Sequence, residues 1–200
     1  SPANAYYTND TTPTLDWNAS SGANYYTMQV DNDSAFGSVT DTYTGSNTID
    51  TTIALSNGTT YYWRMRARDA AQNWSAYSGS RSFTIDTTAP GTVSVSGTSP
   101  TNDTTPTWSW SNPSGGSGNY HRGWNTTTTY SSTTATSYTP GTQSAGTYTL
   151  YVRVRDAAMN WGGWGSKAIT IDTTAPPVPT HASPANAYYT NDTTPTLDWN

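Results

Sequence analysis

Five of the eight basic side chains fall in two short segments, Arg64, Arg66 and Arg68 in the first and Arg153 and Arg155 in the second. Aromatic pairs follow each, Trp74 with Tyr77 in WSAYS and Trp161 with Trp164 in WGGWG. Arginines two residues apart on an extended chain project from one face. Their planar guanidinium groups stack on indole and phenol rings, at about 0.5–1 kcal/mol per exposed contact. Two uses fit this chemistry: a structural ladder covering an outer sheet, or an aromatic surface that binds sugar. Because the pattern occurs twice, the ladder is the favoured reading.

The carboxylates offer less. All 13 acids are Asp and none is Glu. Asp31-Asn32-Asp33-Ser34 opens like a calcium loop, but it lacks the glycine and the twelfth-position acid such a loop requires. Asp86 and Asp172 lie in two identical IDTTAP segments, where one Asp each is a sparse ligand set. These four residues are the calcium candidates, and no other cofactor is expected. Asp10 and Asp103, and the pairs Asp69 with Asn73 and Asp156 with Asn160, read as turn caps that bond backbone amides. His121 and His181 have no metal spacing, no two acids converge, and no nucleophile elbow is present, so no catalysis is expected. A single lysine, Lys167, excludes a general lysine isopeptide crosslink. Cysteine is absent, so disulfides are excluded. A net charge of −5 with only 10% charged residues gives nucleic acid no basic field. No apolar run approaches the length of a membrane span.

Repetition sets the organisation. SPANAYYTNDTTPTLDWN at residues 1–18 recurs unchanged at 183–200, giving a super-repeat of 182 residues. Within it, TNDTTPTLDW matches TNDTTPTWSW, RDAAQNW matches RDAAMNW, and IDTTAP occurs twice, at offsets of 93, 87 and 86 residues. The expected units are domain A (1–86), domain B (87–172), a linker and first-strand region (173–182), and the start of the next A (183–200). Without an initiating Met or leader, the chain is expected to be a fragment or a mature product. The DTTAP linkers are short and proline-bearing, which favours a semi-rigid rod.

The elements that must hold the arginines are strands. The composition is rich in Thr, Ser, Tyr and Trp and poor in helix formers. Alternation predicts strands over 12–17, 25–30, 48–55, 61–68 and 81–85 in domain A. In the fourth, Trp63, Met65 and Ala67 face inward and Arg64, Arg66 and Arg68 outward. In domain B, Leu150, Val152 and Val154 face inward, with Tyr151, Arg153 and Arg155 outward. The predicted class is all-β, with tandem immunoglobulin-like sandwiches in an extended array.

The run LSNGTTYYWRMRA, Leu55 to Ala67, resembles fibronectin type III domains and related bacterial immunoglobulin-like repeats: Leu55, Gly58, Thr59, Tyr61, Trp63, Met65 and Ala67 fit the pattern. The resemblance implies that Tyr61, and Tyr148 in domain B, are corner tyrosines and that Trp17 is the core tryptophan of the second strand. Domain B fits the broader bacterial immunoglobulin-like label better. The Arg and Trp segments are similar to the ladder of cytokine-receptor fibronectin domains, with Tyr77 replacing one Trp and glycines replacing serines in domain B. The expected function is non-catalytic and extracellular. The leading reading is a structural repeat of a filament or bacterial adhesin stalk, with neighbouring copies of itself as partners and a glycan or cell-surface ligand as a further one. The alternative is a carbohydrate-binding or spacer module of a secreted polysaccharide-degrading enzyme.

Overall fold

The computed structural model describes residues 4–183, 189–196 and 198–199. None of these is helical, so no helix long and apolar enough to cross a membrane is present among them. The first half contains β1 (Tyr6–Thr8), β2 (Thr14–Asp16), β3 (Ala23–Asp31), β4 (Asp41–Gly45), β5 (Ile49–Thr51), β6 (Thr60–Asp69) and β7 (Arg81–Ile85). The second contains β8 (Val95–Ser96), β9 (Trp108–Trp110), β10 (Asn119–Trp124), β11 (Ser131–Thr133), β12 (Ser137–Tyr138), β13 (Gly146–Arg155) and β14 (Gly165–Ile171). β15 (His181–Ser183) and β16 (Asp198–Trp199) follow.

Each half packs two sheets around its own core. The first has a five-stranded sheet in the order β1-β7-β6-β3-β4 facing the pair β2-β5. Leu15, Met28, Val30, Trp63, Phe83 and Ile85 fill the space between, and Trp17, Tyr43 and Met65 pack against them. The second has β11-β10-β13-β14 facing β12-β9-β8, around Val93, Trp108, Tyr120, Val152 and Ile169. Inward residues alternate along β13, with Leu150, Val152 and Val154 buried. Large aromatic side chains let a chain with only 32% hydrophobic residues close two cores.

Several predicted strands are shorter than expected. Residues 12–17 narrow to Thr14–Asp16, because Pro13 has no N–H for a ladder, and Trp17 lies just beyond the strand, partly buried rather than at the core centre. Residues 48–55 narrow to Ile49–Thr51, the part that pairs with β2. Two strands carry no clean alternation and were not predicted. β1 runs parallel to β7, with Tyr6 opposite Phe83, and β4 pairs with β3.

The first IDTTAP segment is tied to both halves. Asp86 N–H donates to Thr8 O at 2.8 Å, and Thr87 N–H to Asn57 Oδ1 at 2.8 Å. Asn160 Nδ2 donates to Asp86 O at 2.7 Å.

Candidate functional site

The central strand β6 pairs antiparallel with β3, placing Tyr25 opposite Arg68, Thr27 opposite Arg66 and Gln29 opposite Arg64. On its other side, beyond the reach of β7, the WSAYS segment continues the ladder. Ser75 N–H donates to Ala67 O at 2.8 Å and Ser78 N–H to Met65 O at 2.7 Å. The two serine hydroxyls in turn accept from Ala67 N–H at 3.0 Å and Met65 N–H at 3.2 Å. This backbone clamp lays Trp74 and Tyr77 over the arginine row.

The result is a continuous stack. Arg64 Cζ lies 4.0 Å from the Phe36 ring and 4.1 Å from Tyr77. Arg66 lies 4.9 Å from Tyr77 and 4.3 Å from Trp74, and Arg68 lies 5.2 Å from Trp74 and 4.3 Å from Tyr25. Gln29 Oε1 accepts from Arg64 Nε at 3.1 Å and Nη2 at 2.9 Å. The Nε atoms of Arg66 and Arg68 are buried with no hydrogen-bond partner among the described residues. Ring faces on both sides take the place of acceptors.

The ends of this stack, Phe36 and Tyr25, were missed by sequence reasoning. Tyr25 was legible only as a strand residue, and Phe36 comes from a loop. That loop holds Phe36 at a φ of 57°, a left-handed conformation rare for a bulky residue. Asp31 organises it: its buried carboxylate accepts from Asp33 N–H at 3.4 Å and Ser38 N–H at 3.1 Å.

Domain B carries a shorter stack. Arg153 lies 4.6 Å from Trp164 and 4.8 Å from Trp161, and Arg155 lies 5.8 Å from Trp161. Tyr151 occupies the position corresponding to Arg64, so one rung is lost. His121 is inserted instead, its ring stacked 3.7 Å from Trp161 and 4.0 Å from Tyr130. Its Nδ1 lies 3.2 Å from Arg153 Nη2. A guanidinium only donates, so Nδ1 accepts and the imidazole is neutral with its proton on Nε2.

Burial first, and then the Arg153 and Arg155 charges, hold His121 below the ordinary imidazole range. The unfolded chain therefore binds more protons than the folded one as pH falls through about 6.5. The contribution of neutral His121 to domain B is full above that value, declines as pH drops below it, and levels off beneath the folded pKa. Thermal unfolding between about pH 8 and pH 5 should show the domain B transition falling on acidification, with His121→Gln removing that part of the slope.

The corner tyrosines differ in role. Tyr61 is buried and its hydroxyl accepts from Ser56 N–H at 3.0 Å, whereas the half-buried Tyr148 donates to Ser144 O at 3.2 Å. The calcium candidates are not brought together. Asp33 Oδ1 accepts from Ala35 N–H at 3.0 Å, Asp86 Oδ1 from Thr88 N–H at 3.0 Å, and Asp172 Oδ1 from Thr174 N–H at 2.9 Å. Among the described residues, no group of three or more metal-ligating His, Cys, Asp or Glu side chains occurs. The RDAAxNW carboxylates close their own turns: Asp69 Oδ1 accepts from Asn73 N–H and Asp156 Oδ1 from Asn160 N–H, both at 2.8 Å.

No family model matches the chain. The chain is 33% identical over 210 residues to Exoglucanase B of Cellulomonas fimi, in an alignment covering 95% of this chain and 18% of that protein. It therefore spans less than a fifth of the length of the curated relative it matches. Among solved structures, it superposes on the crystal structure of chicken CNTN1 FN1-FN3 domains with a TM-score of 0.57 and 13% identity, over 84% of this chain and 63% of that one. The fibronectin(III)-like modules of Clostridium thermocellum CbhA align with a TM-score of 0.49 and 11% identity, over 85% and 90% of the two chains. With two sheets around each core and the CNTN1 superposition, the chain is a tandem of immunoglobulin-like β-sandwiches with the fibronectin type III fold.

Proposed function

We propose that this chain is a non-catalytic spacer of a secreted polysaccharide-degrading enzyme, holding other parts of that protein apart as a stiff tandem. The observation that carries this reading is the match to Exoglucanase B, which takes in nearly the whole chain but only 18% of the relative. The rest of such a protein would carry the hydrolytic work. The arginine stacks suit a spacer because they brace one sheet face of each sandwich, and the joint is braced by Asn57, which accepts from Thr87 N–H, and by Asn160, which donates to Asp86 O. The filament or adhesin-stalk reading draws on the same repetition, but nothing in the comparisons favours it over the enzyme spacer.

Sequencing the gene on either side of the repeats tests the proposal directly. A glycoside hydrolase domain on the same chain supports it, and a wall anchor or fibre-assembly domain without one overturns it in favour of the stalk.

The stacks also bear on sugar binding. Guanidinium groups lie over the ring faces of Trp74, Tyr77, Trp161 and Trp164, so those faces are already occupied. Trp74→Ala and Trp164→Ala should each lower the stability of their own domain by about 1–3 kcal/mol, from lost stacking and lost apolar burial. Retention on insoluble glucan, measured by pull-down, should not change in either variant. Loss of retention at unchanged stability would move the function to the rings themselves.

A further inference from the structure

The two sandwiches repeat one plan, and they part at one place between the sheets. Residues 65–69 of β6 match 152–156 of β13. In domain A, the residue of β3 opposite Met65 is Met28, which is fully buried, and Tyr43 of β4 lies opposite Met28 in turn. Tyr43 packs on the core, and its ring meets Trp17 at 5.8 Å. In domain B, the residue of β10 opposite Val152 is Arg122, and Ser131 of β11 lies opposite Arg122. Directly opposed residues share a face of the sheet. Val152 is in the core, so Arg122 is a charge set in a core-facing row.

A methionine and a large ring are thus exchanged for an arginine and a serine, and a groove stands open there. It has a volume of about 330 Å³ and is lined by Arg122, Trp124, Thr129, Tyr130, Ser131 and Tyr138, with no carboxylate. Small-ligand sites run from about 300 to 1,000 Å³. Arg122 Cζ lies 3.7 Å over the ring of Tyr138, which sits opposite the buried Trp108 on the facing sheet. Among the described residues the guanidinium has no hydrogen-bond acceptor and no carboxylate partner. Its nitrogens are not sealed in, unlike Nε of Arg153. A cation in a core-facing row is costly without a partner, and the groove is the side from which one can arrive.

The wall beyond Arg122 is fixed in advance. Asn125 N–H donates to Thr149 O at 2.8 Å and Thr149 N–H to Asn125 Oδ1 at 2.7 Å, which pins the turn leading to Thr129 and Tyr130. Tyr130 rests on His121 and is 49% exposed. The charge balance agrees: residues 87–172 carry four basic side chains against three acids, whereas residues 1–86 carry four against eight.

We propose that this groove binds a sugar acid, with the carboxylate of a hexuronate residue paired to Arg122. A guanidinium over a ring face offers its edge N–H donors sideways, in the fork that a carboxylate matches. The hydroxyls of Thr129 and Ser131 can meet sugar hydroxyls, and the exposed Tyr130 ring offers a face to sugar C–H groups. An acidic peptide side chain would bring the carboxylate without the hydroxyls or the flat C–H face. Such binding is independent of whether a hydrolase domain lies on the same chain.

Titration of the 200-residue chain with sodium D-glucuronate at neutral pH, followed by the Trp124 indole N–H resonance, tests this. A saturable shift with a Kd of about 1 mM is expected, and glucose or sodium acetate at equal concentration should give less than about a tenth of it. Arg122→Met and Ser131→Tyr install the domain A residues. Each should weaken binding by about tenfold or more while the domain B unfolding transition is retained. If one of them loses its fold, the other carries the comparison. Arg122→Lys keeps the charge without the planar fork and should bind about threefold to tenfold more weakly. No saturable shift, or a shift that a folded Arg122→Met chain keeps, overturns the proposal. An equal response to acetate overturns the sugar assignment, because a bare carboxylate, such as that of a peptide, would then suffice.

Discussion

Trp108→Ala is expected to lower the stability of the second sandwich by about 3–5 kcal/mol and to leave the first unchanged. Trp108 is fully buried and meets Trp124 edge to face at 5.2 Å. Its Nε1 donates to Lys167 O at 2.9 Å, across the core from β9 to β14. Alanine opens a large cavity and strands that carbonyl, and a sandwich of this size has only about 5–15 kcal/mol in total. The two cores share no residue, so their unfolding should separate. Calorimetry should show two transitions, with the variant moving only one. Trp108→Phe keeps much of the volume and should cost less. Equal shifts of both transitions would mean that the two sandwiches unfold as one unit.

The second large effect is expected at Gly165, the first residue of β14. A methyl group there would overlap the carbonyl of Val93. β14 cannot yield, because Gly165 is in register with Val152 on β13. The segment before β8 must therefore move, pulling Val93 out of the core. Gly165→Ala should cost about 2–3 kcal/mol, the value of one buried valine. Thermolysin should then cut at the loosened Val93 or Val95, sites protected in the unaltered chain. Gly79→Ala is the control. Nothing lies within 4 Å of its added methyl, so its effect should stay within about 0.5 kcal/mol. If Gly165→Ala leaves both stability and cleavage unchanged, Val93 is not what closes domain B.

The pairing of Arg64, Arg66 and Arg68 with Trp74 and Tyr77 was legible because it depends on strand period and short separation along the chain. A period of two places the three guanidinium groups on one face, and the WSAYS segment returns along the same strand. The ends of the stack were not legible. Phe36 reaches Arg64 from a loop whose shape depends on the burial of Asp31, and His121 reaches Arg153 only because β10 and β13 pair in one register. Asp31 and Asp33 had the residue types of a calcium loop, and the fold engages both carboxylates with backbone amides of their own loop. A carboxylate has the same sequence signature in either role, and only the direction of nearby N–H groups separates them.

By itself, the sequence determined the 182-residue repeat, the all-β class, the inward and outward faces of β6 and β13, and the arginine and aromatic pairing. These follow from periodicity and composition, which act over a few residues. The tertiary structure alone decided which strands are neighbours and that β1 runs parallel to β7. Those are contacts between segments far apart in the chain, set by how two sheets close over a shared core, and local residue preferences do not encode them.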